Sequence, residues 1–368
     1  MKNPLRSWYK IMRMLCIKLA VPLLISLIAL FLLVLSWHSY AFATWYAGFF
    51  YPVLVHTFGR FFNLFPFSMF ELGVFVLIPA SLIVLLVYAI KIRKFFKPLG
   101  FYFLYFFSFL FTFFVMNAGI NYNRESFALH VGITVQNSSV DELKSLYFLL
   151  VERAYVLSAQ VATNDDGVFV SSSENLHAEA RAAMLNLHNV HGGLVSFYPR
   201  PRAPVLSRIM SYMRIGGFFS PWTLEAHYNG EMPAHRKPFM MTHELAHVAG
   251  HKREDEANFI AYLAARESGC TDFNYSAVYS AIVYVLNALN RAVDRDTYSD
   301  LLAILPMQIR RDLQANREFW RQFEGPVADA ANRANDAYLR ANRQDDGVRS
   351  YGRMVDLLLA YYRGLSYK

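Results

Sequence analysis

The chain has 368 residues but only two cysteines, and its first 120 residues hold one acidic side chain, Glu71. Cys16 sits beside an apolar run and Cys270 stands alone far downstream. That pair excludes a disulfide-stapled fold. Charge of either sign is scarce in three stretches. Residues 16–37 contain only Lys18, residues 67–90 only Glu71, and residues 99–120 no charged side chain. Each run is long enough to cross roughly 30 Å of hydrocarbon as a helix. The first has too long an apolar core, and no small-residue cleavage site before Trp45, to read as a cleaved leader. A fourth apolar stretch, 45–65, is broken by Pro52, His56, Gly59, Arg60 and Asn63. It is expected to be an interfacial or re-entrant segment, not a span.

The net charge of +8 divides unevenly. Residues 1–120 carry ten Lys and Arg against one acid, and residues 121–368 carry 26 basic against 27 acidic side chains. The basic excess is therefore a topology signal, and no nucleic-acid surface is implied. Lys2, Arg6, Lys10, Arg13 and Lys18 precede the first run, and Lys91, Arg93, Lys94 and Lys97 lie between the second and third. Only Arg60 falls between the first and second. The positive-inside rule then places the N-terminus in the cytoplasm and, after three crossings, residues 121–368 outside it. Two domains are expected: a membrane domain, 1–120, and an extracytoplasmic domain, 121–368, in a multi-pass protein of the cytoplasmic membrane.

In the second domain, apolar spacing predicts helices over 140–161, 174–190, 238–249, 255–267, 276–293 and 351–363, with others filling 297–345. Residues 163–173 read as a loop. Residues 192–232 are rich in glycine, proline and aromatics and read as turns with short strands, the last at 223–228. The fold class is mainly α, with a small β element ahead of the helix over 238–249.

That helix carries Thr242-His243-Glu244-Leu245-Ala246-His247. Histidines four apart share one helical face, so both rings reach one metal ion, with the intervening glutamate beside them. Zinc hydrolases use this arrangement: the ion lowers the pKa of a water to about 7 and the carboxylate takes its proton. Apolar flanks, Phe239, Met240, Met241, Leu245, Ala246 and Val248, suit a core helix, and Gly250 suits its end. Glu254-Asp255-Glu256-Ala257-Asn258 then offers a third ligand.

These segments resemble the zincin metallopeptidases whose third ligand is a glutamate from an E-x-x-A/S-D segment. By that match Glu254 is the third ligand and Asn258, one turn on, orients a histidine. The six residues between His247 and Glu254 are fewer than that branch usually has. The short link is closer to HExxHxxGxxH, with Gly250 at the glycine's place and Arg253 where a third histidine would stand. Glu256 and His251 therefore stay open as alternatives for the third ligand. The whole chain also resembles a family of bacterial membrane proteins known only as a domain of unknown function. They combine three N-terminal spans with an exported HExxH domain. The matching segments are Pro66-Phe67-Ser68, Asn121-Tyr122-Asn123-Arg124, Glu225-Ala226, HELAH with EDEANF, and 347–352.

In zincins a strand before the active helix pairs with extended substrate. The candidate here is 223–229, with Glu225, His227 and Asn229 as substrate-contacting residues. Tyr351 and Tyr275 are candidate donors to a developing oxyanion. The expected activity is a membrane-anchored hydrolase with one zinc ion held by His243, His247 and Glu254, Glu244 as general base, and a peptide or envelope-protein substrate. The alternative is a non-catalytic, membrane-anchored sensor or scaffold whose zinc site is structural or vestigial, with His251 as the available fourth ligand. The bilayer is an expected partner and nucleic acid is not. The sequence leaves the oligomeric state open.

Overall fold

A computed structural model describes residues 4–91, 96–344, 347 and 352–366. Its three long apolar helices, Ile17–His38, Met69–Lys91 and Leu99–Asn123, fall within three residues of the runs read from composition. Few side chains along them are buried, and large apolar ones such as Phe31 and Val84 are exposed, as lipid-facing positions are. The first and third are joined by hydroxyls: Ser26 donates to Ser108 at 2.9 Å, and Ser108 to the Pro22 carbonyl at 2.8 Å. Among the described residues the chain is mainly helical, with one sheet of two strands.

The expected interfacial segment forms consecutive helical turns from Tyr40–Trp45 to Arg60–Asn63, including π turns at Tyr46–Phe50 and Val55–Gly59. Tyr46, Tyr51 and Val55 are buried, while Trp45, Phe49, Val53 and Phe61 are exposed on the opposite side. Such a helix can lie between a bilayer and a protein domain. The polar residues that interrupt its sequence serve as docking points. His56 meets Ser196 at 3.1 Å, and the Asn63 side chain accepts the Arg200 amide at 2.8 Å.

Beyond residue 123 the first long helix is α1 (Val140–Ser158), opened by a reciprocal capping box between Ser139 and Glu142. Then come α2 (Leu176–His191), the antiparallel hairpin β1 (Gly217–Ser220) and β2 (Glu225–Tyr228), α3 (Lys237–Val248), α4 (Glu254–Arg266) and α5 (Thr271–Ala292). The remainder is α6 (Arg295–Ala303), α7 (Met307–Arg321), α8 (Pro326–Ala341) and α9 (Met354–Ser366). Phe239, Phe259, Phe273 and Ile282 sit in the core where α3, α4 and α5 meet. Ser220 pairs with Glu225 and Gly217 with Tyr228, so the hairpin is short and its β1 strand lies on the outer side. On the other side of β2, His227 forms a parallel bridge with Arg202.

Candidate metal centre

The helix bearing the histidines has no capping side chain of its own at its N-terminus. Ser276 of α5 replaces one: its hydroxyl accepts the Phe239 amide at 3.1 Å and donates to the His235 carbonyl at 2.5 Å. The C-terminus closes with two bonds. Gly250 N–H reaches the His247 carbonyl at 3.1 Å, and His251 N–H reaches the Ala246 carbonyl at 3.2 Å. This is a Schellman turn, which needs a left-handed residue; Gly250 supplies it at φ +91°. A side chain there would also strike Tyr51 and Arg124. The turn reverses the chain within six residues, which is how so short a link returns Glu254 to the histidines.

Membrane-proximal residues fasten this turn. Tyr51 donates to the Val248 carbonyl at 3.0 Å. Arg124, just past the third span, donates to the Ala249 and Gly193 carbonyls, each at 3.1 Å. Lys252 is fully enclosed, bonds the His247 carbonyl, and rests 3.3 Å from the centre of the Phe219 ring. Gln344 accepts the Glu254 amide at 3.2 Å, one of the free donors at the start of α4. None of these residues was singled out for the site from sequence. Only Arg124 had a signal, its place in the segment leaving the third span.

His243, His247 and Glu254 converge, with one ligand atom from each lying within 4.8 Å of the others. Glu254 Oε2 stands 3.2 Å from His243 Nε2 and 3.6 Å from His247 Nε2. Ligands of a tetrahedral zinc at bond lengths near 2.05 Å lie about 3.4 Å apart, so the spacing fits such an ion. The donor chemistry fits as well. His247 Nδ1 lies 2.8 Å from the His251 carbonyl, so it carries the proton, and the bare Nε2 faces the cluster. Glu254 Oε2 is buried without a hydrogen-bond donor. A carboxylate facing an imidazole lone pair inside a protein is costly, and a cation between them removes that cost.

Burial alone would raise the Glu254 carboxyl, but the His247 and His243 rings beside it hold it well below the usual range. His247 is lowered, burial outweighing Glu254. Burial also pulls on His243, yet the nearby Glu254 and Glu244 carboxylates bring it above its ordinary value. Burial pushes the Glu244 carboxyl up to about 8. Its carboxylate lies against Gly217 of β1, where any side chain would collide with it.

Other expected site residues are placed differently. Asn258 is buried beside the His243 ring and the Tyr284 hydroxyl. Glu256 and His251 face each other at 3.4 Å, and the other His251 nitrogen points to the Gly193 carbonyl at 3.5 Å. Neither joins the cluster. Tyr275 donates to Asp312 at 2.5 Å, so its hydroxyl is committed there and not to an oxyanion. Tyr351 lies outside the described residues. Glu225 pairs with Arg202 at 3.2 Å and accepts the Met69 and Phe70 amides. His227 meets Ser68 at 2.8 Å, and Asn229 donates to Ser211 and the Ile215 carbonyl. All three are buried and internally bonded, and the outer strand is β1 instead. Glu71, within the second apolar run, accepts the Val205 and Leu206 amides.

Residues 46–359 match the family described as "Protein of unknown function (DUF3810)". The chain belongs to that family. The match takes in the hairpin, the metal cluster and both helices that carry it. No curated protein and no solved structure matches the chain.

Proposed function

We propose that this DUF3810 member is a membrane-anchored, zinc-dependent hydrolase of peptide bonds, working in the manner of the zincins its motifs resemble. One observation carries the reading. His243, His247 and Glu254 direct a common set of ligand atoms at one point, and the buried Glu254 Oε2 has no donor of its own. With zinc bound, the ion would supply a polarised water with a pKa near 7.

The residues of the chain do the rest. Glu244, one turn before His247, takes the water's proton and returns it to the leaving amine. The His251 carbonyl keeps His247 in the tautomer that presents Nε2. Burial of all four side chains removes competing solvent and strengthens each charge interaction. A structural zinc would need a fourth protein ligand. His251, the available candidate, is turned to Glu256 and Gly193, which favours the enzyme over the scaffold. The basic residues flanking the first two spans support a reaction on the outer face of the cytoplasmic membrane.

The test compares the full-length protein with Glu244→Gln, both in nanodiscs. Metal analysis should find one zinc per chain in each. Digestion of a fluorogenic peptide library should fall at least about 10³-fold in the variant. Undiminished turnover in Glu244→Gln would remove this mechanism.

A further inference from the structure

We propose that the site cuts polypeptides anchored in the same membrane, within a few residues of the bilayer surface. The proposal rests on the hydrolase reading above and names its substrate class.

The level of the site follows from a chain of contacts. Phe70 is the second residue of the span Met69–Lys91. Its ring lies 5.1 Å from Phe218, 5.8 Å from His227 and, stacked, 6.0 Å from Trp222. The Glu225 carboxylate accepts the first amides of that span, Met69 at 3.0 Å and Phe70 at 2.9 Å. At the hairpin turn, Trp222 Nε1 donates to the Leu110 carbonyl of the third span at 3.2 Å, and Asn117 donates to the Pro221 carbonyl at 2.7 Å. The hairpin therefore lies against the first turn of the second span and the outer half of the third. Gly217, the neighbour of Phe218, is the residue against which the Glu244 carboxylate rests. One strand residue rises about 3.3 Å, so Glu244 stands on the order of 10 Å from the first turn of the second span.

A second observation fixes the same level independently. Glu71, the third residue of that span, accepts the Val205 and Leu206 amides at 3.0 and 2.8 Å. This hangs the short helix Ser207–Tyr212 beside the span end. Val205, Leu206, Ile209, Tyr212 and Met213 are all exposed there, Val205 at 89%. An apolar patch tied to the first turn of a span continues that span's lipid-facing surface, and its occupant is the bilayer. The metal cluster thus has an apolar footing on the membrane and the span ends close by. A polypeptide anchored in the bilayer arrives at that level with the high effective concentration of a tether. Since an extended chain covers about 3.3–3.6 Å per residue, the reachable bond lies about three to six residues from the anchor.

The test uses the full-length, zinc-loaded protein in vesicles of phosphatidylethanolamine and phosphatidylglycerol. It is given a randomised peptide library with an N-terminal palmitoyl anchor, or the same library without one. The anchored peptides should be consumed at least tenfold faster, with cuts clustered within about six residues of the anchor. Equal rates, or cuts scattered without regard to the anchor, overturn the proposal. Cleavage of neither library defeats the hydrolase reading itself. A measurement without turnover checks the geometry. A nitroxide on Ile209→Cys, with Cys16 and Cys270 replaced by serine, should be reached by oxygen from the hydrocarbon. A label reporting bulk water overturns the placement whatever the activity.

Discussion

Two of the buried groups beyond the third span join histidine to a carboxylate, and they are built to opposite ends. In the first, His243 and His247 face Glu254, whose Oε2 has no donor. In the second, His235 lies 3.7 Å from Asp312, whose oxygens accept the Phe169 amide, the Tyr275 hydroxyl and the Gln308 side chain. Asp312 is saturated by hydrogen and pins the loop before α2 to α5 and α7. Glu254 is presented to two imidazole nitrogens and has no donor of its own. A saturated buried carboxylate stabilises a fold, whereas one facing only bases asks for a cation. The difference separates a structural cluster from a candidate metal centre without reference to any motif.

The largest effect should come from removing the carboxylate of the first group. Glu254→Ala should weaken zinc binding by about three orders of magnitude, since one of three ligands is lost. Glu256→Ala, two residues on, should change it by less than about tenfold, because Glu256 faces His251. Chelator competition on the full-length protein reads both. Equal losses in the two variants would erase the distinction between the ligand and its neighbour.

The second group should respond in stability and not in metal content. Asp312→Ala strands three donors and should cost roughly 3 kcal/mol, with zinc stoichiometry unchanged. Thermal unfolding in detergent, paired with metal analysis, measures this. His235 adds a pH dependence. Burial, aided by Arg236, lowers it from 6.5 to about 3, and Tyr279 and Asp312 are its other neighbours. The unfolded chain therefore binds a proton that the folded one refuses between those values. Stability present above pH 6.5 is lost as pH falls toward 3, by at most about 5 kcal/mol. His235→Leu should flatten that acid limb. An unchanged limb would show that His235 is protonated in the folded protein, paired with Asp312.

The spans were legible because lipid tolerates little charge, and charge can be counted along a chain. The histidine helix was legible because i, i+4 spacing fixes a shared face. Glu254 was harder. Its six-residue link fitted no single pattern, and only the left-handed turn at Gly250 shows why six residues suffice. Tyr51, Lys252 and Gln344 could not be read at all, and Arg124 only as part of the segment leaving the third span. Each reaches the site from a distant segment or by burying a charge, and neither leaves a periodic trace. The hairpin misled in a physical way. Glu225, His227 and Asn229 are the polar residues of the strand that was foreseen. Yet polar groups on an interior strand must be internally bonded, so those three hold the hairpin to the spans and to Ser211.

The smallest predicted effect tests whether the metal centre extends beyond its ligands. Asn258 follows Glu254 by one helical turn on α4, buried between the His243 ring and Tyr284. Its side chain lies beside that histidine and raises its pKa, so it is placed to hold the ring and strengthen it as a base. Losing such a support typically costs 10- to 100-fold in metal affinity, so Asn258→Ala should bind zinc about that much more weakly. Asn258→Asp keeps an oxygen acceptor for the ring and should retain affinity. Tyr284→Phe removes a group one step further out and should shift affinity less than Asn258→Ala does. If Asn258→Ala binds zinc as tightly as the parent, His243 is oriented by helix α3 and Glu254 alone. The first cluster would then resemble the second in needing only its immediate neighbours.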